Sequence, residues 1–106
     1  MSPWAWLGLA GLAEIAWSQS IRPTEGFTRP LPTLLCLVLA ICAVYPLTRA
    51  MQGIPVGTAY VVFTGVGAVG AVGIGILASG DPAGLARLAA IALVVAGVVL
   101  LRAAET

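Results

Sequence analysis

The stretch 50–80, AMQGIPVGTAYVVFTGVGAVGAVGIGILASG, runs from Ala50 to Gly80 without one charged residue. These 31 residues lie between Arg49 and Asp81. A membrane-spanning helix needs about 20 apolar residues, because it rises about 1.5 Å per residue through about 30 Å of hydrocarbon. Here the length is ample, and the rest of the chain agrees. Of 106 residues, 60% are hydrophobic and 8% charged, where soluble domains carry about 25% charged residues. Mean hydropathy is +1.08. The composition belongs in a bilayer.

Working outward, the charges and turn residues punctuate four spans, at about residues 4–21, 31–48, 56–78 and 84–101. Arg22-Pro23-Thr24-Glu25-Gly26 reads as the first water-exposed connection, Arg49 to Pro55 as the second, and Ser79-Gly80-Asp81-Pro82 as the third. The fourth span has only 14 uncharged residues between Arg87 and Arg102, so Arg87 is expected to reach back to the headgroups. Barrel strands would alternate over about 10 residues, and these runs are continuous. A cleavable signal peptide is disfavoured because the first run has no basic leader and Glu14 interrupts it. The expectation is one all-α membrane domain of four transmembrane helices.

Several chemistries are excluded by what the chain lacks. Its five basic residues are all Arg, and there is no Lys and no His. No basic face for nucleic acid exists, and no imidazole for metal binding or proton shuttling. Cys36 and Cys42, six apart in an apolar run, make neither a zinc motif nor a disulfide framework. Neither an enzyme, a metal site nor a cofactor is expected. Gly65, Gly67 and Gly70 fit G-x-G-x-x-G, but the dinucleotide fingerprint requires a strand before it and a soluble βαβ setting. With Gly57, Gly73 and Gly75 they offer instead a surface of low profile for helix packing. Gly65 and Gly67 also weaken the helix by about 1 kcal/mol each relative to Ala, enough to make a bend there. Both readings stand.

Glu14 lies near the middle of the first span, where an ionised acid costs a few kcal/mol. Every Arg falls at a predicted helix end, so no cation of the chain reaches it. Its counter-ion must come from outside. Burial favours the protonated carboxyl and a nearby cation favours the ionised one, so the site can hold a proton or a cationic solute in competition. Gly11, Trp17 and Ser18 share the face of Glu14 at i−3, i+3 and i+4. On the third span Tyr60, Phe63 and Thr64 share one face and offer rings and hydroxyls. Ring-walled carboxylates suit cations.

Four short helices have little room to enclose a polar site and open it alternately to two sides, which two copies would solve. Arg22, Arg29 and Arg87 fall on one side of the bilayer and Arg49 and Arg102 on the other. Such weak bias permits both orientations. The expected assembly is therefore an antiparallel dual-topology dimer, an inverted repeat made from separate chains.

Three segments carry a family resemblance: Ala13-Glu14-Ile15-Ala16-Trp17; Gly26-Phe27-Thr28-Arg29 with Pro32; and Ile54-Pro55-Val56-Gly57-Thr58-Ala59-Tyr60 leading into Thr64-Gly65-Val66-Gly67. Together they resemble the small multidrug resistance transporters over the whole chain, and within them the guanidinium-exporter branch, which Trp17 and Gly-Thr-Ala-Tyr favour. The resemblance implies a plasma-membrane dimer in which Glu14 of each subunit exchanges protons for a cation, with Tyr60 the third-span tyrosine and Gly65 and Gly67 the bend. Two positions depart from the branch, which usually has Trp where Phe63 stands and Ser where Ala43 stands. Binding-site lining is expected from Gly11, Trp17, Ser18, Ala43, Tyr60, Phe63 and Thr64. The implied activity is proton-coupled export of guanidinium or a small guanidinyl cation. Rivals are export of bulky quaternary ammonium drugs by the same fold, one half of a heterodimeric exporter, and a non-transporting structural subunit. The homodimer is preferred over a dedicated partner.

Overall fold

The computed structural model describes residues 1–104. It is all-helical: α1 (Pro3–Ser20), a 3-10 turn at Arg22–Thr24, α2 (Pro30–Ala50), α3 (Val56–Ala78) and α4 (Leu85–Ala104). The first three starts are where the sequence removes an unsatisfied donor or supplies an acceptor. Ser2 caps α1, its hydroxyl accepting from the Ala5 N–H at 3.1 Å, and Pro3 follows in the first turn. Pro30 opens α2 and Pro55 precedes α3. At the far end of α3 the N–H groups of Ser79 and Asp81 both donate to the Gly75 carbonyl at 3.0 Å. Gly80 makes the reversal in the left-handed region at φ 71°.

The α1–α2 connection holds Glu25, Gly26 and Phe27 all at positive φ, which costs energy at the two non-glycine residues. Thr24 keeps it in place. That residue is 1% exposed; its hydroxyl donates to the Ile21 carbonyl at 2.7 Å and accepts the Phe27 N–H at 3.4 Å.

Packing is a row rather than a ring. α1 lies between α2 and α3, α2 barely meets α3, and the backbone of α4 comes close to that of α3 alone. The result is a slab measuring 44 × 35 × 18 Å, about two helices thick given a helix diameter of about 10 Å. Its core comprises Leu7 and Ala10 of α1, Ala43, Leu47 and Ala50 of α2, Ile54, and Ala59, Val62 and Phe63 of α3. Four of the nine are alanines, which let helix backbones approach closely in lipid. α4 buries no residue.

Three helices are long and apolar enough to cross a membrane: Pro30–Ala50, Val56–Ala78 and Leu85–Ala104. α1 is less apolar because its 18 residues include Glu14, Ser18, Gln19 and Ser20. The polar helix thus lies between two apolar neighbours, α2 and α3. Cys36 is buried and Cys42 exposed, both as free thiols.

One end of the slab gathers cations over rings. Arg49, closing α2, stacks its guanidinium 5.3 Å from the Trp6 ring, and Arg102, closing α4, lies 5.1 Å from Trp4. Tyr45 meets Trp6 edge-on at 6.1 Å. Amphipathic rings with Arg at one level are the signature of a membrane–water interface. Arg22 and Arg29 lie at the opposite end of α1, where Arg29 pairs with Glu25 at 3.8 Å. Arg87, in the first turn of α4, is half-buried and has no partner for its Nε among the described residues. It borders α3 at Ala68, Val69 and Val72.

Candidate functional site

Glu14 is half-buried on α1 and turned toward α3. Its side chain occupies the space that a Cβ would take at Gly67: such a Cβ would collide with Glu14 Cγ and stand 3.3 Å from Glu14 Cβ and 3.5 Å from Cδ. No larger residue than glycine leaves the carboxylate this seat. One turn earlier Gly11 receives Val66, whose Cγ1 would lie 2.8 Å from a Cβ there, and one turn later Gly70 receives Ile15. Glycines on both helices thus alternate as seats for the other's side chains, which fixes the register of α1 on α3.

No hydrogen bond or ion pair links Glu14 to another side chain among the described residues, where the one ion pair is Arg29–Glu25. The carboxylate is half-buried and uncompensated. An isolated acid at this depth is stable only with a proton or an external cation.

The other expected site residues divide into groups. Trp17 and Ser18 are half-buried on α1, one turn beyond Glu14. Ser18 Oγ donates to the Ile15 carbonyl at 2.6 Å and accepts from Gln19 Nε2 at 3.2 Å. Ser18 also borders a polar cavity of about 520 Å³ with Gln19, Arg22, Glu25, Arg29 and Asp81. Sequence reasoning did not identify Gln19 or Asp81 in this place, since the distance between α1 and the α3–α4 turn is not encoded in either segment alone. On α3, Phe63 is 5% exposed and part of the core, whereas Tyr60 is 56% exposed. Their rings remain neighbours, with centroids 6.2 Å apart and tilted by 41°. Thr64 donates back to the Tyr60 carbonyl at 2.8 Å. Tyr60 makes no hydrogen bond to Glu14 within the chain; it stands seven residues before Gly67, about 10 Å along the helix. Ala43 is 1% exposed in the α2 core.

The two candidate hinge glycines serve contacts. Gly67 holds Glu14, and Gly65 faces α4, where a Cβ would stand 2.7 Å from Val98 Cγ2 and 3.5 Å from Val94 Cγ1. α3 runs through both without interruption.

A thin helical slab, three of whose helices are long and apolar enough to cross a bilayer, defines a multi-pass integral membrane protein. Residues 2–94 match the family described as Small Multidrug Resistance protein, and the chain belongs to that family. It is similar to the guanidinium exporter of Citrobacter freundii, at 44% identity covering 93% of this chain and 94% of that one. The guanidinium exporters of Yersinia pseudotuberculosis and Proteus vulgaris are each 41% identical, covering 96% of this chain and 98% of theirs. Membership places the protein among small exporters of the bacterial plasma membrane.

Proposed function

We propose that this protein exports guanidinium or a small guanidinyl cation in exchange for protons, and that Glu14 binds the two in turn. The observation that carries this reading is the half-buried Glu14 carboxylate without a cationic partner among the described residues. Guanidinium is planar and presents its N–H donors in its own plane, the geometry that matches a carboxylate bidentately. Its faces suit aromatic rings, and Trp17 stands one turn from Glu14 on the same helix face. The similarity to proteins named as guanidinium exporters favours this cation over a bulky quaternary ammonium, which has no N–H to give.

In this reading the four helices each span the bilayer, and two chains pair in opposite orientations. Several observations support it: a slab 18 Å thick has no second wall for its carboxylate, α4 buries nothing, and the Tyr60 ring is exposed. Tyr60 then acts in the paired assembly, bringing its hydroxyl to a carboxylate it does not reach in its own chain. Gly65 and Gly67 are the places where α3 bends between outward- and inward-open forms. Protonation of Glu14 releases the cation on the proton-rich side and deprotonation on the other side admits the next one.

The deciding experiment is transport in proteoliposomes, with guanidinium and a quaternary ammonium compared side by side under an inward proton gradient. Guanidinium-driven proton movement exceeding that of the quaternary ammonium is the expected result. The reverse order makes the protein a drug exporter of the same fold, and no flux of either favours a structural subunit.

A further inference from the structure

Because the backbone of α4 comes close to that of α3 alone, a groove floored by α3 opens between α4 and α1. Its outer part, about 840 Å³, is bordered by Ser2, Trp4, Val62 and Arg102. Its inner part, about 270 Å³, continues to Gly70 and Ile15. Val66, Val98 and Val99 border both, so the two parts are one groove. Polar side chains stand at the mouth only, as Ser2 and Arg102; farther in, the lining is hydrocarbon and glycine. Ile15, seated on Gly70, lines the inner end.

The depth is informative. From Ser2 to Ile15 along α1 is about 20 Å at about 1.5 Å per residue, and one leaflet contributes about 15 Å of hydrocarbon. The groove therefore extends from the interface to the bilayer centre and stops there. A helix from another protein is about 10 Å wide and crosses both leaflets, so it does not match the depth. An acyl chain does.

The mouth adds a charge. Arg102 lies over the Trp4 ring at 5.1 Å, and among the described residues no carboxylate pairs with it. Stacking occupies the face of a guanidinium and leaves its in-plane N–H donors free, which suits a phosphate oxygen pair. We propose that this groove is a phospholipid site: one acyl chain lies on α3 between α1 and α4, and the lipid phosphate is held by Arg102 above Trp4. The site is separate from Glu14 and from the reading of what Glu14 binds. Its inner end is Ile15, next to Glu14 in the chain, so the lipid tail backs the helix that carries the carboxylate.

The test is native mass spectrometry of the full-length protein extracted from vesicles of phosphatidylglycerol and phosphatidylcholine. Retention of one phospholipid per subunit, with phosphatidylglycerol preferred, is expected. Arg102→Gln should lower phosphatidylglycerol retention about tenfold, the loss of one charge-assisted contact. Val99→Trp should abolish retention by filling the groove from its rim; Val99 is 62% exposed, so helix content by circular dichroism should stay unchanged. Absence of retained lipid, or retention indifferent to both substitutions, overturns the proposal. A second measurement uses Val99→Cys with Cys36→Ala and Cys42→Ala. Reaction with a lipid-soluble maleimide supports the site, whereas a disulfide between two copies places a second subunit in the groove and overturns it.

Discussion

The side-chain stem of Glu14 rests on the bare backbone of Gly67, so closely that a methyl group there would take the space of Glu14 Cγ. The carboxylate and its seat come from different helices, and the contact sets both the depth of α1 against α3 and the direction in which the acid projects. The placement of the Glu14 carboxylate therefore depends on a residue that has no chemistry of its own.

Gly67→Ala separates that dependence from stability. Alanine favours a helix by about 1 kcal/mol over glycine, so α3 itself should form as well or better. Guanidinium binding should nevertheless fall by about tenfold or more as Glu14 is displaced, a change of about 1.4 kcal/mol. Isothermal titration beside a thermal melt reads both, and unchanged affinity would show that Glu14 repositions freely. Gly65→Ala should act elsewhere, loosening α4 through Val98 and lowering the melting temperature more than the affinity.

Glu14→Gln keeps the shape and removes the charge. Cation-driven proton uptake in proteoliposomes should vanish, while the protein still elutes as the wild-type assembly. Under the proposed exchange, a proton and a cation compete for the intact carboxylate. Cation binding should be strongest where the acid is ionised and weaken as pH falls through its apparent pKa, by up to about tenfold per pH unit below it. A binding constant flat between pH 5 and about pH 9 would mark Glu14 as a structural acid.

Tyr60→Phe removes one hydroxyl from an exposed ring. Transport should slow severalfold, with oligomeric state and helix content unchanged, because the ring contact with Phe63 survives the change. An unaltered rate would leave Tyr60 as a packing residue.

Pairing is read by expressing this chain by itself and labelling a single cysteine in the 79–84 connection from each side of the membrane. Labelling from both sides with robust guanidinium transport is the expected outcome for an inverted homodimer. One-sided labelling with no transport until a second chain is co-expressed would make this protein half of a fixed pair, and would account for Phe63 and Ala43 together.

The helices were legible because charge and turn residues are expensive in hydrocarbon and fall at their ends. The expected limits for the third span, 56–78, coincide with α3, and α2 and α4 extend at most three residues past theirs. Glu14 was legible for the same reason, as the one charge in mid-span. What could not be read was register. That Gly67 seats Glu14 while Gly65 faces α4 depends on how α1 and α4 turn about α3, and every glycine in the stripe offers the same small surface. The separation of Phe63, buried, from Tyr60, exposed, has the same origin: neighbours on one helical face fall on opposite sides of a packing boundary that only the other helices define. The stacks of Arg49 on Trp6 and Arg102 on Trp4 were half visible, as an interface composition without its pairings.

A molecule 18 Å thick would precipitate in water, but in lipid its broad apolar faces meet hydrocarbon as compatible as another helix, and solitary chains suffer little penalty. Assembly is then governed by encounter in two dimensions. Under the proposed pairing, diluting the protein into excess lipid should silence transport without unfolding anything, and the activity per chain should climb with surface density toward a plateau. Output would thus respond more than proportionally to expression, giving the cell a threshold built from nothing more than the thinness of the subunit.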